Sequence, residues 1–129
     1  MTAQAAVLLV FLFVGHFLGD FTPLASARMQ EAKLSGTPIG PIALHALVHA
    51  LLVGIATVAI ARPLPMIALG AVAIEFWTHL GLDWFRGKLS ARRPALGDPG
   101  QPVFWTVLGL DQLAHALVLV GIAFLIFMQ

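Results

Sequence analysis

Four long apolar runs, at 5–21, 41–61, 64–85 and 103–128, take up most of this 129-residue chain and limit what it can fold into. Each is close to the ~20 residues a helix needs to cross the hydrocarbon core of a bilayer, the first being at the short end. None alternates with a period of two, and an open sheet edge has no partners for its amides in lipid, so strands are excluded. A water-soluble core is excluded too. With 60% hydrophobic and 10% charged residues, the chain lacks the polar surface to cover four such runs. The expected fold is all-α: a polytopic membrane protein with four transmembrane helices in an antiparallel bundle, residues 1–129 forming a single integral domain. No basic residue precedes the first run and no clean small-x-small pattern follows it, so it is expected as a mature helix rather than a signal peptide.

The connections set the topology. A polar stretch joins the first two helices and has room for a short interfacial helix at about 24–34. The tight A-R-P-L-P joins the second and third helices, and a basic, proline-rich loop from Arg86 onward joins the third and fourth. The first and third connections share one side and carry six of the seven basic residues, Arg28, Lys33, Arg86, Lys88, Arg92 and Arg93, against Arg62 alone opposite. The positive-inside rule makes that side cytoplasmic, with both termini outside, in a bacterial inner membrane. Trp77, Trp84 and Trp105 are expected in or near the interfacial belt. A net charge of +1 and the lack of aromatic platforms beside the basic residues argue against nucleic acid. The absence of cysteine removes disulfides, iron–sulfur clusters and thiol nucleophiles.

The polar residues inside the apolar runs are the second constraint. All five histidines lie there, with four of the six acidic residues. The first helix carries His16 and Asp20, the second His45 and His49, the third Glu75, His79 and Asp83, and the fourth Asp111 and His115. Every spacing is i,i+4, which puts each set on one helix face. The sets come late in the first and third helices and early in the second and fourth. In an antiparallel bundle all of them then fall within roughly 20 Å of the same end, at ~1.5 Å per residue. Gly15 and Gly19 form a small-x-x-x-small pair beside the first stripe, and Gly81 and Gly109 are further candidates for close helix approach.

A lone histidine in a membrane helix is most simply a hydrogen-bond partner between helices. Four stripes at one depth point instead to a shared site, because ionisable groups in a bilayer are costly and mark function. Carboxylates this close together need cations or protons, which leaves a metal site, a proton or ion pathway, or a structural polar network. Bound divalent metal accounts best for imidazole mixed with carboxylate. Zinc is the default and iron or manganese the alternatives, and the number of groups fits two ions with some left to orient the ligands. The expected ligands are His16, Asp20, His45, His49, His79, Asp83, Asp111 and His115. Glu75, deepest on its stripe, is expected as the general base or an orienting group. Gln112 is placed to orient a ligand or bridge helices. A partial repeat, L-H-A-L-V-H-A-L at 44–51 against L-D-Q-L-A-H-A-L at 110–117, suggests two duplicated hairpins related by an axis along the membrane normal.

The stretches H-F-L-G-D-F, H-A-L-V-H, E-F-W-T-H-L-G-L-D and D-Q-L-A-H together resemble the DUF3307 family, small bacterial membrane proteins of unknown function, over essentially all four helices. The matching positions are His16, Asp20 and Phe21; His45 and His49; His79 and Asp83; and Asp111, Gln112 and His115. The pattern is also distantly similar to small membrane-bound metal-dependent hydrolases. The favoured function is a metal-dependent hydrolase in which metal-activated water attacks a lipid-linked or amphipathic substrate at the cytoplasmic leaflet. A metal-ion or small-solute transport or binding protein, for which four helices suggest a homodimer, is the alternative. A redox di-iron centre is the third reading, and haem is disfavoured by the crowd of carboxylates.

Overall fold

The computed structural model describes residues 2–128, and among them every regular element is helical. The order is α1 (Ala3–Phe21), α2 (Ala27–Ser35), α3 (Ile39–Ile60), α4 (Pro65–Arg92) and α5 (Pro102–Phe127), with a single 3-10 turn at Pro94–Leu96 before α5. Local chemistry sets the boundaries. The Thr2 and Ser26 hydroxyls cap α1 and α2 by accepting from the amides of Ala5 and Met29. Proline opens α4 and α5 at the position where a missing N–H costs nothing. Gly36 ends α2 in the left-handed region at φ 67°.

Most helix ends fall within two residues of the sequence expectation, α1 beginning at Ala3 rather than 5. α3 begins at Ile39 rather than 41, because Pro41 falls in its first turn, where a helix needs no amide donor. α4 does not stop at 85 but runs on to Arg92, a 28-residue helix of about 42 Å. The residues after Phe85 are mostly good helix formers, and the first effective stop is Pro94, which holds Arg93 out of the helical region at φ −136° and ψ 88°. Arg86 and Lys88 therefore stand on a helix, not in a loop. The short helix expected at 24–34 is α2.

Among the described residues four helices, α1, α3, α4 and α5, are long and apolar enough to cross a membrane. They contact in cyclic order, α1 with α3, α3 with α4, α4 with α5, and α5 with α1, so that α1 stands diagonally from α4 and α3 from α5. A two-fold axis relating the hairpins α1–α3 and α4–α5 requires that square arrangement. α2 packs against α3 and α4. One half of the interior is apolar, built on Leu8, Leu12, Val53, Leu119, Ile122 and Ile126. The other half holds the ionisable residues. The outer surface is the reverse of a soluble protein's, with side chains such as Phe11, Phe17, Leu51, Ile55, Leu69 and Phe124 more than half exposed. That partition, apolar outside and charged inside, is the one a bilayer favours.

Candidate metal centre

Each i,i+4 stripe faces the middle of the bundle, and the four stripes meet. His79 of α4 is the hub. Its ring centroid lies 3.8 Å from that of His49, 4.3 Å from His115, 5.2 Å from His45 and 5.7 Å from His16. His45 and His79 are fully buried, and His49, Glu75, Asp83 and His115 are at most 2% exposed. Close approach of α1 makes this packing possible. A Cβ on Gly19 would overlap the His49 imidazole, whereas one on Gly15 would sit 3.4 Å from Leu52 Cβ, an ordinary contact. Gly81 and Gly109 have nothing near them and take no part.

The hydrogen bonds leave particular atoms free. His79 Nδ1 lies 3.2 Å from Glu75 Oε1, and His115 Nδ1 lies 2.8 Å from the carbonyl oxygen of Asp111. Each ring then donates through Nδ1 and presents Nε2, the tautomer of a metal-ligating histidine. Among the described residues neither Nε2 has a hydrogen-bond partner, and neither does either carboxylate oxygen of Asp83, whose one nearby cation is the Lys33 ammonium, 3.3 Å from Oδ2. His79 Nε2 lies 3.4 Å and His115 Nε2 3.9 Å from Asp83 oxygens. Buried nitrogens and oxygens are seldom left unpaired, so a converging set of them could hold an ion.

Among the described residues three such groups, each with its donor atoms within 4.8 Å of one another, could hold a metal ion: His79, Asp83 and His115; Asp20, His45, His49 and His79; and His16, His49, Glu75 and His79. The layer thus brings together His16, Asp20, His45, His49, Glu75, His79, Asp83 and His115. Asp111 stands apart from all three groups. Its Oδ2 faces Arg86 Nη1 at 3.4 Å and Gln112 Nε2 at 3.3 Å, at the rim. Arg86 reaches it because α4 continues past 85.

The site contains one cation that the sequence reading assigned only to topology. Lys33 Nζ, on α2, donates to Asp20 Oδ1 at 2.7 Å and lies 3.3 Å from Asp83 Oδ2 and 2.9 Å from His45 Nε2. His45 Nε2 is also 3.0 Å from Asp20 Oδ1, so it accepts from the ammonium in one tautomer and donates to the carboxylate in the other. Two glycines let α2 come near enough. A Cβ on Gly87 of α4 would collide with the backbone of Gly36 and with the Lys33 carbonyl oxygen. The readable signal is the i,i+4 spacing of Lys33 from Met29, which puts the two on one face of α2. Gln112 bridges helices: its Oε1 lies 3.2 Å from His16 Nε2, and its Nε2 donates to Asp20 Oδ2 at 3.2 Å.

A cleft of about 240 Å³ adjoins this layer. Asp20, Lys33 and Gln112 belong to both, and Gln30, Arg86 and Phe104 also line the cleft. Residues 8–129 match the model of the DUF3307 family, described as a protein of unknown function. No curated protein and no solved structure matches the chain.

Proposed function

The chain belongs to the DUF3307 family, and we propose that it is a membrane-embedded, metal-dependent hydrolase acting on a lipid-linked or amphipathic substrate. The observation that carries this reading is the convergence on Asp83 of His79 Nε2 and His115 Nε2, which have no hydrogen-bond partner among the described residues, with Lys33 linking Asp83 to the adjoining cleft. Three protein ligands from rigid helices leave a fourth position for water or substrate, the pattern of a catalytic rather than a structural zinc. Zinc bound there supplies Lewis acidity and lowers the pKa of water. The remaining roles belong to side chains. Glu75 does not line the cleft and orients His79, as a carboxylate behind a ligating imidazole does. Asp20 does line it, and is the carboxylate placed to take a proton when water adds to the acyl or phosphoryl centre and the leaving oxygen departs. Lys33 and Arg86 favour an anionic substrate. By the positive-inside rule, the end carrying α2 and the cleft faces the cytoplasm, with both termini outside, in a bacterial inner membrane.

The test is elemental analysis of the detergent-purified protein beside His79→Ala and His115→Ala, joined to hydrolysis assays on lipid-presented esters and phosphoesters with and without chelator. Zinc lost in both variants, with a chelator-sensitive activity, supports the reading. Iron with visible absorbance would transfer the site to redox chemistry. Bound zinc with no hydrolysis of any presented class would favour metal transport or storage. No bound metal would refute the proposal.

A further inference from the structure

The layer offers more ligands than one ion needs, and the position of Lys33 decides how many ions it takes. Of the two other groups, that of His16, His49, Glu75 and His79 has Glu75 Oε1 already against His79 Nδ1, which leaves the group Asp20, His45, His49 and His79 as the place for a second ion. Two of its four residues already meet an ammonium: Lys33 Nζ is 2.7 Å from Asp20 Oδ1 and 2.9 Å from His45 Nε2. The Lys33 side chain is only 11% exposed there. It arrives on a separate helix, held by the contact of Gly87 with Gly36 and the Lys33 carbonyl. In the group of His79, Asp83 and His115 the ammonium comes near only Asp83 Oδ2, at 3.3 Å, and among the described residues His79 Nε2 and His115 Nε2 have no hydrogen-bond partner.

The charge balance agrees. Asp111 pairs with Arg86 at the rim. That leaves three carboxylates buried in the layer, Asp20, Glu75 and Asp83. The ammonium offsets one negative charge and a single divalent ion the other two. A second divalent ion would leave an excess of two positive charges where water is largely excluded, which is costly. Resting on the metal reading above, we infer that Lys33 serves as a tethered second cation, so that the chain binds one divalent ion, at His79, Asp83 and His115, with Asp83 facing both the ion and the ammonium. In a hydrolase this puts Lys33, rather than a second metal, where an anionic oxygen of the substrate meets the site.

The experiment is a zinc count on the full chain in detergent, stripped with chelator and reloaded with zinc alone, for the wild type, Lys33→Arg and Lys33→Met. One equivalent is expected in the wild type and in Lys33→Arg, and two in Lys33→Met, where Asp20 and His45 are released. Two equivalents in the wild type, or one in a folded Lys33→Met, would overturn the inference while leaving the metal reading intact. No zinc in any of them would overturn the metal reading itself. Amine labelling of the zinc-loaded wild type, mapped by mass spectrometry, needs no variant. Lys88 makes no ion pair among the described residues and should label, while Lys33 stays protected. Labelling of Lys33 on zinc loading would show that the metal displaces it and would refute its role as the second cation.

Discussion

Gly15 and Gly19 form a matched pair, since they lie one turn apart on α1 and only one of them touches the site. A methyl group at Gly19 would overlap the His49 ring, including Cδ2 at 2.9 Å. The imidazole cannot retreat freely, because its other face is stacked on His79 at 3.8 Å with an interplanar angle of 29°. Gly19→Ala therefore forces α1 outward or drives His49 into His79, a ring that the site needs in a fixed orientation. Overpacking of this kind costs about 1–3 kcal/mol. If the cost falls on the metal-bound state, zinc affinity drops roughly five- to 150-fold, at about 1.4 kcal/mol per factor of ten. Gly15→Ala meets only Leu52 Cβ at 3.4 Å, and should leave affinity unchanged or gain a little helix stability. The assay is zinc titration against a competing chelator, with thermal melting of both stripped variants as the control for general damage. Equal losses in the two variants, or an unchanged affinity in Gly19→Ala, would refute the claim that α1 is pressed against the metal layer at this one position.

Glu75→Ala should weaken zinc binding by roughly 10–100-fold, as for other groups that orient a ligating histidine, with Glu75→Gln recovering part of the loss through its carbonyl oxygen. A Glu75→Gln protein that keeps full zinc affinity but hydrolyses nothing would instead make Glu75 the general base. Asp111→Asn should retain zinc at the wild-type stoichiometry, because Asp111 pairs with Arg86 outside the ligand groups; loss of the ion would bring Asp111 into the ligand set. Leu12→Ala, in the apolar half of the interior, should lower stability by about 2–5 kcal/mol in thermal melts without changing the zinc count. Chelation of the wild type should lower its melting temperature, since a ligand held at a hundred times its dissociation constant contributes about 2.7 kcal/mol.

The helices and the meeting of their stripes were legible because both follow from periodicity. Apolar length gives the span, i,i+4 spacing gives the face, and the alternation of late and early positions gives a common depth once neighbours run antiparallel. His16, His45, His49, His79 and His115 come together on that logic alone. The cations of the site were not legible in the same way. Lys33 and Arg86 lie outside the apolar runs, where basic residues are explained by topology, and their second role depends on where helices end rather than on hydropathy. Arg86 reaches Asp111 only because α4 has no effective stop before Pro94. Lys33 reaches Asp20 and Asp83 only because α2 turns back at Gly36 onto a helix that offers Gly87. Hydropathy sorts residues by the solvent around them, but it does not register a charge that leaves the loop side to neutralise a buried carboxylate. In this bundle the distinction has a chemical consequence. Asp111 is held by Arg86 and Asp20 by Lys33, which also lies 3.3 Å from Asp83 Oδ2, while among the described residues His79 Nε2 and His115 Nε2 keep no hydrogen-bond partner and converge with Asp83 on a position that could hold a metal.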